Sequence, residues 1–300
     1  MKHLLPVLAV CLTAAATITR SAPEQEGSRT IVVYALATDP RNAPVTDLAA
    51  ADFAVKEDNR PREVISVEPA ATPMQVAVIV DDNGSGVFRF GVSQLAQRIQ
   101  RRAELSLRVV TGQVRTVLEL TSDAKTWMAG IAQLGVRPPT PDGGQLLEGI
   151  ADAARSLTAR EAKRPVILVL TVGGQEHSTL LGRDVLDLIH KSRAELYVLF
   201  AANAAIRSQA APARAADLLE GNHNLDQVLG DGPKQSGGRR RDIIATQGLT
   251  TDVPQLAGEL SAQYAITYRR PAERGTPQRI QVTVQRRGVN VVAPTRAPIR

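Results

Sequence analysis

The most informative segment of this chain is Gln75-Val-Ala-Val-Ile-Val-Asp-Asp-Asn-Gly-Ser85. Its apolar, mostly β-branched residues from Val76 to Val80 do not alternate with polar ones, which predicts a strand buried on both faces of a parallel sheet. Oxygen-bearing side chains follow at once at Asp81, Asn83 and Ser85. Open α/β sheets bind ligands at the carboxyl ends of such strands. The sequence therefore predicts a candidate site directly after this strand.

Strand and helix patterns alternate from residue 75 to residue 205. A second continuous apolar strand, Pro165–Leu170, is predicted to lie beside strand 75–80, with the strand order reversing between the two. Leu105–Val110 and Val114–Leu120 flank a Thr-Gly-Gln turn and predict an antiparallel hairpin at the sheet edge. The expected fold class is α/β, with a doubly wound, mostly parallel, Rossmann-like sheet.

Shorter β segments are predicted on both sides of this core. Residues 30–70 form an N-terminal β module with strands at 31–36, 53–57 and 63–67. Residues 206–250 are predicted to form a variable linker region, which includes a mobile Gly/Pro/Ser-rich loop at 230–238. Arg239–Arg241 are predicted to form a solvated loop, with contact to an anionic partner as the alternative. Residues 251–300 carry a helix and a β-hairpin of strands 264–268 and 279–284. Because short β pieces bury little area alone, these accessory segments should pack together or onto the core.

The start of the chain and its composition indicate an exported protein. Residues 1–22 have a basic start and an apolar run, which is typical of a secretory signal peptide. The only cysteine, Cys11, lies in that run, so the chain after it needs no disulfide. No later segment reaches the ~20 apolar residues of a membrane helix. We expect a secreted or periplasmic protein without a membrane span, whose charge of +6 is a mild excess over 300 residues.

Four other kinds of site match the sequence less well. An EF-hand needs glutamate at its twelfth position, where this chain has Val92. A dinucleotide fingerprint needs a third glycine, where this chain has Arg89. No Gly-x-Ser-x-Gly elbow supports a hydrolase, and no aromatic platform supports nucleic-acid binding. We therefore expect no enzyme, with an enzyme or small-ligand binder in the same crevice as the alternative.

The spacing Asp81-x-Asn83-x-Ser85 resembles the metal-ion-dependent adhesion site of von Willebrand factor A (vWA) domains. Asp52-Phe-Ala-Val-Lys-Glu-Asp58 and the later Gln263-Tyr264 resemble the vWA-related, acidobacterial-type family of secreted proteins. The resemblance implies a vWA-like domain at 75–205 and a binding scaffold. It also implies a metal site built from three loops. Asp81, Asn83 and Ser85 would come from the first loop and Gln145 from the second.

Three positions of this chain depart from the family pattern. Asn83 stands where the family usually has serine, Gln145 where it has threonine, and Val172 where it has aspartate. A valine side chain cannot ligate a cation, and Mg²⁺ prefers about six oxygen ligands. The implied metal site is therefore degenerate. We expect no cofactor, and any Mg²⁺ or Ca²⁺ binding should be weak.

The loops on the crevice side are predicted to contact a partner, because functional residues concentrate on loops that a rigid scaffold holds. These loops span residues 82–89, 137–145 and 172–179. Besides Gln145, the predicted contacts are Arg89, Arg137, Gln175 and His177. This mixture of polar groups suits a protein or glycan surface better than a small substrate. The function predicted from sequence is a secreted vWA-like interaction module with a degenerate metal site.

Overall fold

The computed structural model describes residues 28–136, 143–201, 215–243, 246–272 and 276–299. The predicted signal peptide and Arg137 lie outside the described residues. The chain forms two six-stranded sheets. The helices are α1 (Arg89–Ile99), α2 (Ala124–Ile131), α3 (Leu146–Ala159), α4 (Gly182–Ser192), α5 (Ala215–Ser236) and α6 (Thr246–Ser261). None of the described helices is long and apolar enough to cross a membrane.

The first sheet is mostly parallel and forms the α/β core. Its order is β6-β5-β4-β7-β8-β9, and only β6 runs antiparallel to its neighbour. The strands are β4 (Met74–Asp81), β5 (Ala103–Thr111), β6 (Gln113–Thr121), β7 (Pro165–Thr171), β8 (Glu195–Ala201) and β9 (Arg240–Ile243). The predicted adjacency of β4 and β7 is confirmed, and Asp81 pairs with Thr171 at their ends. The predicted edge hairpin, β5–β6, is also confirmed.

Helices cover both faces of this sheet, as its continuous apolar strands require. Along β4, Val76, Val78 and Val80 face the layer that holds α1, α2 and α6. The alternate residues Ala77 and Ile79 face the layer that holds α3, α4 and α5. The expectation of a mostly parallel sheet flanked by helices is therefore confirmed.

The second sheet is antiparallel, nearly closed, and built from both ends of the chain. Its order is β11-β2-β3-β10-β1-β12. The strands are β1 (Arg29–Thr38), β2 (Phe53–Glu57), β3 (Arg60–Pro69), β10 (Tyr264–Arg270), β11 (Ile280–Val284) and β12 (Asn290–Val292). The expectation that the two accessory segments pack together is thus confirmed.

The prediction that residues 264–268 and 279–284 form a hairpin is wrong. β10 pairs with β1 and β3, whereas β11 pairs with β2, so the β2–β3 hairpin separates them. The physical reason is burial. The alternating residues Tyr264, Ile266 and Tyr268 are all buried, which suits a strand with neighbours on both edges.

The prediction of a linker at 206–250 is wrong over residues 215–243, and the predicted mobile loop at 230–238 is mostly helix. α5 continues to Ser236, β9 joins the edge of the parallel sheet, and α6 begins at Thr246. The glycines of α5 permit close packing rather than flexibility. A Cβ atom on Gly221 would lie 2.5 Å from the carbonyl oxygen of Glu176, and one on Gly232 would lie 2.7 Å from Leu196. The side chains of Leu225, Val228 and Leu229 in the same helix are buried against the sheet.

Two glycines of α5 should respond oppositely to alanine. Gly221→Ala should lower the free energy of unfolding by about 1–3 kcal/mol, because the new methyl group collides with backbone at Glu176. Gly230→Ala should raise it by about 0.5–1 kcal/mol, because its position is open and alanine favours helix. Urea denaturation followed by circular dichroism measures both. Equal effects of the two substitutions would contradict this account of the helix.

Candidate functional site

The candidate site lies where the strand order of the parallel sheet reverses, at the carboxyl ends of β4 and β7. Oγ1 of Thr171 donates a hydrogen bond to Oδ2 of Asp81 at 2.6 Å, and the same Oγ1 accepts one from the Gly173 backbone at 2.9 Å. The Val172 backbone N–H donates to the Asp81 carbonyl at 3.0 Å. The first residue of the predicted metal site is therefore bound to the neighbouring strand.

Burial determines the electrostatics of this carboxyl group. Desolvation raises the pKa of Asp81 to about 6, while the Thr171 hydrogen bond opposes the rise and the charge of Asp82 adds to it. Burial also raises the pKa of Asp82, and hydrogen bonds from backbone N–H groups such as that of Gly84 oppose this second rise. Asp81 and Asp82 are adjacent and both buried, which disfavours full ionisation of both carboxyl groups.

The first loop turns sharply after these acids. Asn83 has a left-handed backbone with φ of 54°, and Gly84 and Gly86 follow with φ of 81° and 72°. Asn83 is partly exposed and Ser85 is exposed, and Oγ of Ser85 accepts a hydrogen bond from the Val87 backbone at 3.4 Å. A Cβ atom on Gly86 would lie 2.8 Å from Cα of Gly135, so the loop lies tightly against the segment after α2.

The second loop is held by backbone hydrogen bonds rather than by its side chains. The Gly144 N–H donates to the Gln175 carbonyl, and the His177 N–H donates to the Gly144 carbonyl, each at 2.9 Å. A Cβ atom on Gly144 would collide with Val110 and would lie 3.8 Å from Oδ1 of Asp81. Glycine is therefore required where this loop passes the carboxylate. Gln145 is partly exposed, and its side chain does not cap α3.

The third loop carries no oxygen ligand at Val172. This side chain is only 1% exposed and belongs to the apolar layer on the α1 and α6 face of the sheet. Its place in the core helps fix the course of the loop. The side chain supplies no ligand and adds buried apolar area.

Glu176 is the residue at this site that sequence reasoning missed. Its Oε2 accepts hydrogen bonds from the backbones of Leu146 at 2.9 Å and Leu147 at 3.3 Å, and its Oε1 accepts one from Ser178 at 2.9 Å. The buried carboxylate thus caps α3 from another loop. Desolvation raises its pKa to about 7, against these hydrogen bonds, and the charge of Asp81 adds to the rise. Gln145 is a poor N-cap residue. The sequence at the start of α3 therefore indicated that a residue elsewhere must accept hydrogen bonds from the first backbone N–H groups of this helix.

The structure brings the predicted loops together but places their side chains differently. Asn83 lies close to the third loop, since its Oδ1 would be 4.0 Å from a Cβ atom on Gly174. Within the residues that the structure describes, no group of three or more His, Cys, Asp or Glu side chains could hold a metal ion. Of the predicted partner contacts, Arg89 is exposed and its Nη1 donates to the Leu134 carbonyl at 3.4 Å. Gln175 is partly exposed and His177 exposed on the third loop.

The prediction that Arg239–Arg241 form a solvated loop is wrong. Both Arg239 and Arg241 form ion pairs with buried Glu259 of α6, and Arg241 also lies 3.7 Å from Asp252. Arg240 pairs with Asp242 at 3.0 Å and stacks over the Phe200 ring. The arginines lead into β9, and their charges stabilise its contact with α6. They are therefore engaged within the chain rather than presented to an anionic partner.

No family model and no curated protein matches this chain. Several solved structures share its general shape at 10–14% sequence identity. The protein BatB from Bacteroides thetaiotaomicron aligns over 63% of this chain and 98% of its own, with 14% identity and a TM-score of 0.44. A von Willebrand factor type A protein from Catenulispora acidiphila aligns over 85% and 75%, with 14% identity and a TM-score of 0.43.

The pilus adhesin SpaC from Lactobacillus rhamnosus GG aligns over 88% of this chain and 49% of its own. Its identity is 11% and its TM-score is 0.45. Similarities at this level assign neither a function nor a site to the chain. What the site can do must therefore be argued from its own geometry.

The buried Glu176 should make stability depend on pH. Its folded-state pKa of about 7 lies above the ordinary 4.5, so folding takes up a proton between these values. Its contribution to stability is full below pH 4.5 and is lost as the pH rises towards 7. Glu176→Gln should flatten the fall in unfolding free energy by at most about 1.4 kcal/mol per pH unit.

Urea denaturation between pH 4.5 and pH 7.5 measures this slope, and the exposed Glu119→Gln is the matched control. The control should keep the slope of the unmodified protein. Burial raises the pKa values of Asp81 and Glu195 as well, so part of the slope should remain in Glu176→Gln. An unchanged slope in that variant would show that Glu176 does not titrate in this range.

Proposed function

We propose that this chain is a vWA-like interaction module that acts outside the cytoplasm and binds a protein or glycan without a metal ion. One observation carries the proposal. At the carboxyl end of the parallel sheet, backbone hydrogen bonds at Gly144, Gln175 and His177 hold the second loop to the third, and a bond from Val172 to Asp81 joins the third loop to the end of β4, where the first loop begins. Such a platform presents exposed side chains at little entropic cost, which favours binding by a preformed surface.

The state of the acids supports binding over cation-dependent adhesion. Asp81 is engaged by Thr171, and Glu176 is engaged by the start of α3. The third loop offers apolar Val172 in place of a carboxylate. What remains accessible near Asp81 is the amide of Asn83, the hydroxyl of Ser85 and the amide of Gln145. Neutral oxygens without a second available carboxylate hold divalent cations weakly.

The same engagement supports a binding role over catalysis. A general acid or base must reach a substrate, and these two buried carboxyl groups already receive internal hydrogen bonds. The exposed groups around them are Arg89, Ser85 and His177. Ser85 and Arg89 lie on the first loop and His177 on the third, an arrangement that suits contact with a surface.

The first test is a cation titration. Calorimetry with Mg²⁺, Mn²⁺ and Ca²⁺ should detect no binding tighter than roughly millimolar, because the position of the third loop's carboxylate is occupied by core valine. Asp81→Asn should leave this result unchanged. A micromolar isotherm that disappears in Asp81→Asn would overturn metal-independent binding.

The second test compares two exposed surfaces of the same fold. One variant carries Arg89→Ala, Gln175→Ala and His177→Ala on the crevice loops, and its control carries Arg101→Ala, Gln113→Ala and Lys191→Ala elsewhere. Ligands captured from the native extracellular fraction by the unmodified protein are identified, and their affinities for both variants are then measured. We expect at least about a thirtyfold loss for the crevice variant alone, which corresponds to the ~2 kcal/mol of a single hot spot. Equal losses, or none, would place the binding surface elsewhere.

A further inference from the structure

A cavity lies at the opposite end of the parallel sheet, between the two sheets. Its volume is about 230 Å³. The floor is formed by the first residues of β7 and β8, with Leu186 and Ile189 of α4. One wall is β1, and the other is the final segment of the chain, residues 294–298. The lining is largely apolar and has room for one or two side chains.

The β1 wall of this cavity has an unpaired strand edge. Residues Arg29–Ala35 pair with β10 on one side. On the other side, β12 pairs only with Leu36–Thr38, and no other described strand pairs there. β12 ends just before Pro294, which has no N–H for a ladder. The chain then turns to α5, where Thr295 donates to the Lys234 carbonyl at 3.2 Å. A place for one more strand is left open beside Arg29–Val33.

This open edge is unusual because native sheets normally cover or blunt such edges. Val32 is 48% exposed there, although valine favours the interior of sheets. Thr30 and Val32 both line the cavity. The edge and the cavity are therefore parts of one surface, which offers backbone hydrogen-bonding groups beside an apolar recess.

The charge at the mouth of the cavity is positive. Lys163 and Arg193 line it, are exposed, and form no ion pair with any residue that the structure describes. Arg296 is paired with Asp187 at 2.8 Å. The one acid in the lining, Glu195, is buried and receives hydrogen bonds from Gln263 and Tyr197. Two available cations beside an apolar recess complement a carboxylate.

Arg193 occupies a backbone conformation that favours glycine. It follows α4 with φ of 59°, in the left-handed region where helices commonly end on glycine. An arginine there costs stability relative to glycine. Strained positions that persist cluster at ligand-binding sites. Arg193 is one of several non-glycine residues with a left-handed backbone, and it is also one of the two cations without an ion pair at the cavity mouth.

We propose that this surface binds an extended peptide segment that carries a carboxylate. The peptide adds a strand along Arg29–Val33 and places an apolar side chain in the cavity. Its carboxylate meets Lys163 and Arg193. Backbone pairing supplies affinity and the pocket supplies selectivity, as in other cases of strand addition. The surface is distant from the crevice loops, so this proposal stands or falls independently of the proposed function.

The test uses a defined peptide and its own chemical controls. The acetylated pentapeptide Thr-Val-Thr-Val-Val with a free C-terminal carboxylate is titrated into the ¹⁵N-labelled full chain. We expect amide chemical-shift changes centred on Thr30–Val33 and Arg193. The C-terminal amide of the peptide should bind at least about threefold more weakly, because it lacks the charge. A version with alternate N-methylated residues should not bind, because it cannot pair with the strand edge.

Two variants separate binding from folding. Arg193→Gly should lower the affinity for the peptide at least about threefold. It should also raise the midpoint of thermal unfolding, because glycine relieves the strain of the left-handed backbone. Lys163→Gln should lower this affinity similarly with no change in the midpoint. Undiminished binding of the amide or N-methylated peptide, or shifts that map elsewhere, would overturn the proposal. So would concentration-dependent shifts at Thr30–Val33 without peptide, which would assign the edge to a second copy of the chain.

Discussion

The buried guanidinium of Arg164 is the interaction on which the arrangement of the two sheets depends. It donates to the carbonyl groups of Ala70 and Thr72, between β3 and β4, where the chain leaves the antiparallel sheet. It also donates to the carbonyl group of Leu260 in the last turn of α6 and to the side chain of Gln263 just before β10, where the chain returns. The two segments in which the chain passes between the sheets therefore both accept hydrogen bonds from Arg164, which directly precedes β7.

The buried positive charge of Arg164 requires a nearby negative charge to compensate it. Desolvation lowers the pKa of Arg164, and the charge of Glu195 acts most strongly against that change. The guanidinium also stacks over the Tyr34 ring at 4.9 Å, which connects it to β1. A buried charge that donates hydrogen bonds to several segments is expensive to disrupt, because removing its partners leaves it uncompensated. The two sheets should consequently unfold as one cooperative unit, although each has its own apolar core.

The parts of the fold that sequence could predict are those encoded by local periodicity. The continuous apolar runs of β4 and β7 and the helical spacing in α1 identify themselves within about ten residues. The pairing of β10 with β1 and β3 could not be predicted this way, because register depends on distant partners. Gly232 suggested a loop because its close neighbour Leu196 is visible only in three dimensions.

The candidate site shows the same division. Asp81, Asn83 and Ser85 predicted at which end of the sheet the site lies, because residues that follow a strand lie at its carboxyl end. The roles of Thr171 and Glu176 depend on which backbone groups lie opposite them, and no spacing in the sequence encodes that. The ion pairs of Arg239 and Arg241 with Glu259 likewise join segments about 20 residues apart that only the folded sheet edge brings together.

The edge of β1 at Arg29–Val33 can remain open because Lys163 and Arg193 place positive charge beside it. The final segment bridges β11 through Ile280 and Arg279, and β12 covers the end of β1, so the sheet is nearly closed. Two copies of the chain that met edge to edge at Arg29–Val33 would bring their own Lys163 and Arg193 side chains together. Like charges disfavour that encounter, as charged residues do on the edges of other sheets. The same charges attract an acidic strand, so one pair of cations opposes self-association and selects for a partner of opposite charge.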